Sequence, residues 1–273
     1  MTLREIISAL REAGIEDPQR DALLLSSAIE GVSEASLLCD RDRPLTSGKL
    51  AEAVRRRAAR EPLQYILGTW EFMGLPHRVS PSCLIPRADT ELLTEFAISE
   101  LPTGGRLLDL CTGSGCIAIA VAHYRPDAIV TAVEKYPETL ACARINAELN
   151  GVGDRVRLLL GDVTDKDGVP QDGRFDMIVS NPPYVTAEEM ETLEPELSHE
   201  PRAALTDGGD GLSILSAVVE NYVPLLSPGG IMAVEHGSLQ GGAVRKMMEK
   251  YGCVTTLRDL GGRERVTVLR THK

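Results

Sequence analysis

The sequence lacks any long apolar run. No stretch approaches the roughly 20 residues that a membrane-spanning helix needs, and Met1 to Glu5 lack the basic start and apolar run of a secretory signal. We therefore expect a soluble, cytoplasmic protein. Paired metal ligands are missing too, because the six cysteines form no Cys-x-x-Cys pair and have no histidine at zinc-ligand spacing. This pattern favours reduced, mostly buried thiols and predicts no metal site.

Positive charge is scarce. The chain has 29 lysines and arginines against 40 aspartates and glutamates, which gives a formal net charge of -11 at pH 7. The long-range field of such a protein repels phosphate backbones. This lowers the expectation of a nucleic-acid substrate without excluding one.

The first 60 or so residues are predicted to form helices separated by short breaks. Thr2 and Glu5 match a capping box, and Asp17-Pro18 offers an N-cap followed by proline. A short apolar helix is expected around residues 33–38 and a longer one from about residue 50 to residue 59. Between residues 70 and 79, aromatic and aliphatic residues are interrupted by Gly74 and Pro76, which predicts a small β-hairpin between two domains.

From about Leu101 onward, short apolar runs alternate with helix-length segments, as in a mostly parallel sheet covered on both faces. Seven such runs predict a doubly wound α/β fold of the Rossmann-like type. They are residues 106–110, 128–133, 156–160, 175–179, 230–234, 254–257 and 265–269.

A glycine-rich turn, Cys111-Thr112-Gly113-Ser114-Gly115, follows the first of these runs directly. A dinucleotide site would have glycine at the first position of the turn, whereas this chain has Cys111 there and the carboxylate of Asp109 on the strand. An acidic residue suits a cationic ligand such as S-adenosylmethionine better than it suits a phosphate. The alternative is a plain strand-to-helix turn in which Asp109 caps the helix.

Two further carboxylates follow at the ends of the next runs. Glu134 stands where such folds hold the hydroxyls of a ribose, although it could also be an exposed strand-end charge. Gly161-Asp162 ends the third run, so that Asp162 could accept from an adenine amino group while Val163 packs near the ring. A turn aspartate is the other interpretation of Asp162.

The strongest motif is Asn181-Pro182-Pro183-Tyr184, which follows the fourth run at the carboxyl edge of the sheet. Two prolines stiffen the loop and remove two N–H donors. The Asn181 side-chain oxygen and the Pro182 carbonyl are therefore placed to accept both hydrogens of a target NH2, and Tyr184 adds a flat face. An amide or aromatic amine is a poor nucleophile, and this arrangement would orient it towards a methyl donor.

Other candidates point to a site less clearly. The basic stretch Arg55-Arg56-Arg57 with Arg60 could contact a partner, but such runs usually form a solvated helix face. Glu235-His236 ends the fifth run, where either a site role or packing is possible. Cys111 and Cys116 are interpreted as packed thiols, because the sequence places no base beside them.

Stretches along nearly the whole chain resemble the bacterial release factor glutamine methyltransferases. Besides the motif from Asn181 to Tyr184 and the turn after Asp109, the similar stretches are Gln64 to Gly68, Ile85 to Glu91, Glu200-Pro201 with Ala204-Leu205, Glu235 to Gly237, and Gly262 to Val266. Two positions depart from the pattern, since many members have glycine at position 111 and aspartate at position 134.

The resemblance implies a fold and a reaction. It implies a helical substrate-binding domain at residues 1–68, a β-hairpin connector at 69–84, and a seven-stranded class I methyltransferase domain at 85–273. It implies methylation of the glutamine amide in the Gly-Gly-Gln loop of peptide chain release factors, with S-adenosylmethionine as methyl donor. Residues 111–115, Glu134, Val163 and Asn181 would contact this cofactor. The motif from Asn181 to Tyr184 would hold the glutamine. We expect a monomer.

Two other hypotheses stay open at this stage. The same acceptor pair could hold an exocyclic amino group of DNA or RNA. The chain could also bind S-adenosylmethionine or a release factor without turnover. The acidic stretch at residues 187–200 is a candidate lid over the site.

Overall fold

Residues 1–166 and 173–272 are described by the computed structural model, and the chain divides into two compact units. The helical unit consists of Met1–Thr69 together with Glu194–His199. The sheet unit consists of Trp70–Leu193 together with Glu200–Lys273. The helical unit is therefore discontinuous along the sequence. Within the described residues, none of the helices combines the length and the apolar character that crossing a bilayer requires.

The helical unit contains short helices, and the first two begin where the capping signals predict. They are α1 (Leu3–Glu12), α2 (Pro18–Glu30), α3 (Glu34–Cys39), α4 (Gly48–Ala58) and α5 (Leu63–Leu67). The predicted capping box is present, since the Thr2 hydroxyl accepts from the Glu5 backbone and the Glu5 carboxylate accepts from the Thr2 backbone. Helix α5 was not predicted, because five residues are too few to show a helical period.

Arg57 of α4 and Arg60, which follows this helix, are held by carboxylates. Arg57 donates from Nε to Asp21 Oδ2 at 2.6 Å and from Nη1 to Glu196 Oε1 at 3.0 Å, and Arg60 donates to Glu196 Oε2 at 2.7 Å. The Arg57 side chain is 9% exposed. The interpretation as a solvated face is therefore wrong for Arg57, whose burial is compensated by two opposite charges.

The predicted hairpin and the predicted sheet are both present. Strands β1 (Thr69–Phe72) and β2 (Leu75–Arg78) form a two-stranded sheet. All seven apolar runs are strands, with ends that differ by a few residues from the prediction. They are β3 (Arg106–Leu110), β4 (Ile129–Glu134), β5 (Val156–Leu160), β6 (Phe175–Ser180), β7 (Leu226–Glu235), β8 (Gly252–Arg258) and β9 (Glu264–Thr271).

The seven-stranded sheet has the order β5-β4-β3-β6-β7-β9-β8. Five strands are parallel, whereas β9 runs antiparallel to both of its neighbours. From β3 the chain moves outward to β4 and β5 and then returns to the other side of β3 with β6. The order thus reverses between β3 and β6, which is where doubly wound sheets bind ligands.

Helices cover both faces of this sheet. They are α6 (Asp89–Glu100), α7 (Cys116–Tyr124), α8 (Pro137–Leu149), α9 (Arg202–Leu205), α10 (Ser213–Tyr222) and α11 (Gly241–Met248). Buried side chains of α6, α7 and α8 pack on one face of the sheet. Those of α10 and α11 pack on the other face. Because alternate strand residues face opposite layers, Leu107 and Leu108 belong to different cores.

Candidate functional site

The candidate site lies where β3 and β6 end side by side. Leu110 and Ser180 are register partners at the carboxyl ends of these strands. The Ser180 hydroxyl also donates to the Leu110 carbonyl at 2.8 Å. The glycine-rich turn that begins at Cys111 and the loop that begins at Asn181 therefore leave the sheet as neighbours.

Positive φ angles shape the turn after β3. Cys111, Gly113 and Gly115 have φ angles of 59°, 59° and 84°. A side chain at Gly113 would meet no atom within 4 Å, so its backbone faces open space. A Cβ at Gly115 would approach Ile119 Cδ1 to 2.9 Å, so this glycine permits close packing of α7.

Asp109 lies beneath the turn. It is fully buried, and its Oδ2 accepts a 2.5 Å hydrogen bond from the Thr112 hydroxyl. Burial raises its pKa to about 7, although the Thr112 bond opposes the rise. Asp109 thus supports the turn from below, and its predicted contact with a cofactor stays a prediction.

Glu134 joins the end of β4 to the turn. Its Oε2 accepts from the Gly113 backbone at 3.0 Å, and its Oε1 accepts from the Tyr136 backbone at 2.9 Å. The side chain is 6% exposed overall, and burial raises its pKa. The carboxylate is therefore oriented by two backbone donors and is not a free strand-end charge.

Asp162 stands at the end of β5 and is tied to the chain on both sides. Its Oδ1 accepts from the backbone and hydroxyl of Thr164 at 2.9 and 2.7 Å, and its Oδ2 pairs with Lys135 Nζ at 2.8 Å. Its pKa is lowered, because the bonds from Lys135 and Thr164 outweigh the opposing effect of burial. The turn interpretation and a ligand role are compatible here, because Asp162 also faces the cavity described below.

The loop from Asn181 to Tyr184 is held at both ends. Asn181 donates from Nδ2 to Thr90 Oγ1 at 3.0 Å. At the other end the Tyr184 hydroxyl donates to Glu235 Oε1 at 3.1 Å, and the Tyr184 carbonyl accepts from Gln240 Nε2 at 2.9 Å. Gly211, with a φ of 73°, packs so close to the Tyr184 carbonyl that a Cβ there would overlap it. The loop is thus rigidly placed.

A cavity of about 370 Å³ lies between these segments. Nine of the predicted site residues line it: Cys111, Thr112, Gly113, Ser114, Glu134, Asp162, Val163, Asn181 and Pro183. The other four predicted residues, Asp109, Gly115, Pro182 and Tyr184, lie outside the lining set. The lining set also includes residues that the sequence did not single out for the site, among them Pro86, Arg87, Thr90, Lys135, Tyr136 and Ile214. Pro86, Arg87 and Thr90 belong to the stretch from Ile85 to Glu91, whose resemblance to the methyltransferase family is the sequence feature that could have pointed to them.

The thiols and the histidine near the site are packed groups. Burial raises the pKa of Cys116 to about 12 and raises that of Cys111 as well, so neither thiol is a ready nucleophile. His236 is buried between the Thr267 hydroxyl and the Gly237 carbonyl, and burial lowers its pKa. In the part of the chain that the structure describes, His, Cys, Asp and Glu side chains form no group of three suited to a metal.

Two family models match the chain. The model of the methyltransferase small domain matches residues 88–228, and that of the PrmC N-terminal domain matches residues 2–68. The two matches fall on the predicted methyltransferase domain and on the predicted helical domain.

Curated relatives match almost the full length. A release factor glutamine methyltransferase of Geobacter sulfurreducens is 42% identical over 97% of this chain and 95% of its own length. One from Salmonella typhimurium is 41% identical over 97% of this chain and 96% of its own length.

Solved structures agree on the fold. A methyltransferase from Pyrococcus furiosus is similar with a TM-score of 0.55 and 20% identity, over 74% of this chain and 91% of its own. A 16S rRNA methyltransferase from T. thermophilus, solved with AdoMet and guanosine, gives a TM-score of 0.55 and 21% identity over 75% of this chain and 50% of its own. The full-length relatives and the two family-model matches show that the chain belongs to the release factor glutamine methyltransferase family.

Proposed function

We propose that this chain methylates the side-chain amide nitrogen of the glutamine in the Gly-Gly-Gln loop of peptide chain release factors, with S-adenosylmethionine as methyl donor. The observation that carries the proposal is the hydrogen bonding of the Asn181 side-chain amide. Its Nδ2 is engaged by Thr90 while the residue lines the cavity, so its Oδ1 is the atom left to accept from an incoming NH2. The named activity of the full-length relatives supports the choice of substrate.

The residues of the cavity fit S-adenosylmethionine. The volume lies within the roughly 300–1,000 Å³ of small-molecule sites. Glu134 and Asp162, at the ends of adjacent strands, present carboxylate acceptors suited to ribose hydroxyls and an adenine amino group. The open backbone at Gly113 lets a ligand approach the turn closely. When bound, S-adenosylmethionine supplies a methyl group on a positively charged sulfur.

Asn181 and Pro182 act on the glutamine amide. We assign to Asn181 Oδ1 and to the Pro182 carbonyl the acceptance of its two N–H hydrogens. An amide nitrogen is weakly nucleophilic because its lone pair is delocalised into the carbonyl. As the new N–C bond forms, positive charge develops on this nitrogen, and the two oxygens stabilise that charge more than they stabilise the ground state. The proton can leave afterwards, so no general base is required beforehand.

Tyr184 shapes the same end of the site. Its hydroxyl is engaged by Glu235 and its carbonyl by Gln240, so its ring has little freedom to turn. We propose that the ring offers a face on which the planar amide lies. The stiff backbone of Pro182 and Pro183 keeps this face at a set distance from the Pro182 carbonyl.

The partner is a protein in this proposal. We propose that the helical unit helps bind the release factor, that the enzyme acts as a monomer in the cytoplasm, and that nucleic acid is not a substrate. The net charge of -11 supports the last point.

The test uses the purified chain, S-adenosylmethionine labelled in the methyl group, and a bacterial release factor. We expect label on the release factor, located by peptide mass spectrometry on the glutamine of Gly-Gly-Gln, and no label when that glutamine is replaced by alanine. Total nucleic acid serves as the competing substrate. Label that resists protease and follows the nucleic acid, or label on any other protein residue, would contradict the proposal.

A further inference from the structure

The direction in which Asn181 presents its amide depends on Thr90. Thr90 is 2% exposed and stands in the first turn of α6, where its Oγ1 lies 3.0 Å from Asn181 Nδ2. A threonine hydroxyl has one proton and can also accept, so it could in principle bond either the NH2 or the oxygen of an asparagine amide. What settles the choice is the group that takes the Thr90 proton.

That group is Glu235, at the carboxyl end of β7. Burial raises the pKa of Glu235 to about 7, and the Thr90 hydroxyl opposes this rise as a nearby hydrogen-bond donor. Oε2 of Glu235 is buried and has no partner of regular hydrogen-bond geometry in residues 1–166 and 173–272, so it can take this proton. Once it is ionised, above about pH 7, this carboxyl group only accepts hydrogen bonds. Thr90 must then donate towards Glu235, which leaves its lone pair for Asn181 Nδ2.

Glu235 also holds the far end of the motif. Its Oε1 accepts from the Tyr184 hydroxyl at 3.1 Å, and the residue is only 1% exposed. Arg265 on β9 contributes a positive charge. It pairs with Asp89 at 3.1 Å, and its charge opposes the rise in the pKa of Glu235 that burial causes. One buried carboxylate thus connects to Asn181 through Thr90 and to Tyr184 directly.

We propose that Glu235 and Thr90 are positioning residues, which fix the Asn181 amide so that Oδ1 and not Nδ2 faces the substrate. The inference deepens the proposed function and rests on it. In this series of contacts, the Glu235 carboxylate accepts from the Thr90 hydroxyl, and the Thr90 hydroxyl oxygen accepts from Asn181 Nδ2. This leaves the Asn181 oxygen to accept from the target NH2.

Removing the Thr90 hydroxyl releases this constraint. The Asn181 amide can then rotate by half a turn and present Nδ2 to the substrate NH2. Two hydrogen-bond donors would then face each other, and no hydrogen bond would form. Loss of one preorganised transition-state hydrogen bond lowers kcat by about 100- to 1,000-fold in the best-studied sites. Because the amide would still spend part of its time in the correct orientation, we expect a loss of about 10- to 100-fold here.

The experiment compares Thr90→Val with Thr90→Ser in the full chain. Valine keeps the shape but removes the hydroxyl, whereas serine keeps the hydroxyl. We expect kcat for release factor methylation to fall by about 10- to 100-fold in Thr90→Val and to return to within about threefold in Thr90→Ser. The Kd of S-adenosylmethionine, measured by calorimetry, should change by less than about threefold in both.

A matched control and a second variant separate positioning from packing. Thr94 lies one turn further along α6, is fully buried, and donates to the Thr90 backbone carbonyl at 3.0 Å. Thr94→Val should keep kcat unchanged. Glu235→Gln keeps the size of Glu235 but removes the acceptor-only character, so it should lower kcat as Thr90→Val does, and the double variant should lose little more than either single one.

The two failures are distinguishable. If the parent chain does not methylate a release factor, the proposed function fails before any variant is compared, and the inference fails with it. If the parent is active and Asn181→Ala is inactive, but Thr90→Val and Glu235→Gln keep the parent kcat, only the positioning role is overturned. Equal losses in Thr90→Val and Thr90→Ser would also overturn it, because serine keeps the hydroxyl.

Discussion

Gly113 donates its backbone N–H to Oε2 of Glu134, 3.0 Å away, and this bond ties the turn after β3 to the end of β4. This one hydrogen bond therefore positions both the Glu134 carboxylate and the Gly113 backbone in the candidate cofactor site. A change at Glu134 acts on the ligand directly and on the turn through Gly113.

Glu134→Ala should weaken the binding of S-adenosylmethionine. The change removes the proposed acceptor of the ribose hydroxyls and leaves the Gly113 N–H without its partner, so we expect Kd to rise by about 10- to 100-fold, which corresponds to one or two charged hydrogen bonds. Calorimetric titration measures this directly. Glu134→Asp, which keeps the charge, is the control and should lose less. An unchanged Kd in Glu134→Ala would exclude the residue from the cofactor site.

Asn181→Ala should abolish methyl transfer and leave the fold intact. The change lies on a loop and removes one hydrogen bond, to Thr90, so the free energy of unfolding should fall by only about 1 kcal/mol. Thermal melting and transfer of labelled methyl to a release factor check the two parts. Asn150→Ala, which removes an amide that bonds the Pro76 and Asn146 carbonyls outside the cavity, should stay active. Equal rates for Asn181→Ala and the parent would contradict the assignment.

The charge state of Asp109 should make stability depend on pH. Burial raises its folded-state pKa to about 7, whereas in an unfolded chain it titrates near 4. Between these two pKa values the folded state binds the Asp109 proton more tightly than the unfolded chain does. Protonation of Asp109 therefore stabilises the folded state fully below about pH 4, and this stabilisation is lost as the pH rises through about 7.

Asp109→Asn removes this dependence, because asparagine resembles the protonated acid and can still accept from Thr112. The melting temperature of the variant, measured relative to the parent, should therefore rise between pH 5 and pH 8. The comparison is made on the ligand-free protein, where other carboxylates contribute equally to both curves. A constant difference across this range would show that Asp109 stays ionised in the folded state.

Glu196→Ala should destabilise the helical unit. The Arg57 side chain is 9% exposed and would lose one of its two carboxylate partners, and Arg60 would lose the same partner. Because Asp21 still pairs with Arg57, we expect a loss of about 1–3 kcal/mol in the free energy of unfolding and not the larger cost of an unpaired buried charge. Urea denaturation measures it.

Glu194→Ala is the matched control for this change, since Glu194 lies two residues away in the same segment and is exposed. It should alter the free energy of unfolding by less than about 0.5 kcal/mol. A similar loss in both variants would mean that the segment, and not the ion pairs, carries the stability.

The sheet could be predicted from the sequence because its parallel strands are buried on both faces. Such strands are nearly continuous apolar runs, and all seven were located, although their ends shifted where a strand extends into polar residues such as Ser180 and Glu235. The glycine-rich turn after β3 and the loop from Asn181 to Tyr184 could be singled out because each is a local motif at the end of such a run.

The partners of that loop could not be predicted in the same way. Thr90 is 91 residues from Asn181, and Glu235 is 51 residues from Tyr184. Only the strand order brings them together, because it places α6 and β7 beside the end of β6. No periodicity or spacing in the sequence records such a contact. The burial of Arg57 was missed for the same reason, since one of its partners, Glu196, is 139 residues away.

The discontinuity of the helical unit also bears on how the protein is made. Arg57 and Asp21 leave the ribosome within a few dozen residues of each other, whereas Glu196 follows much later in the chain. At the usual synthesis rates of about 5–20 residues per second, Arg57 waits roughly 7–28 seconds for its second carboxylate. The nascent helices must therefore tolerate, for that time, an incomplete set of charges that the finished protein never shows.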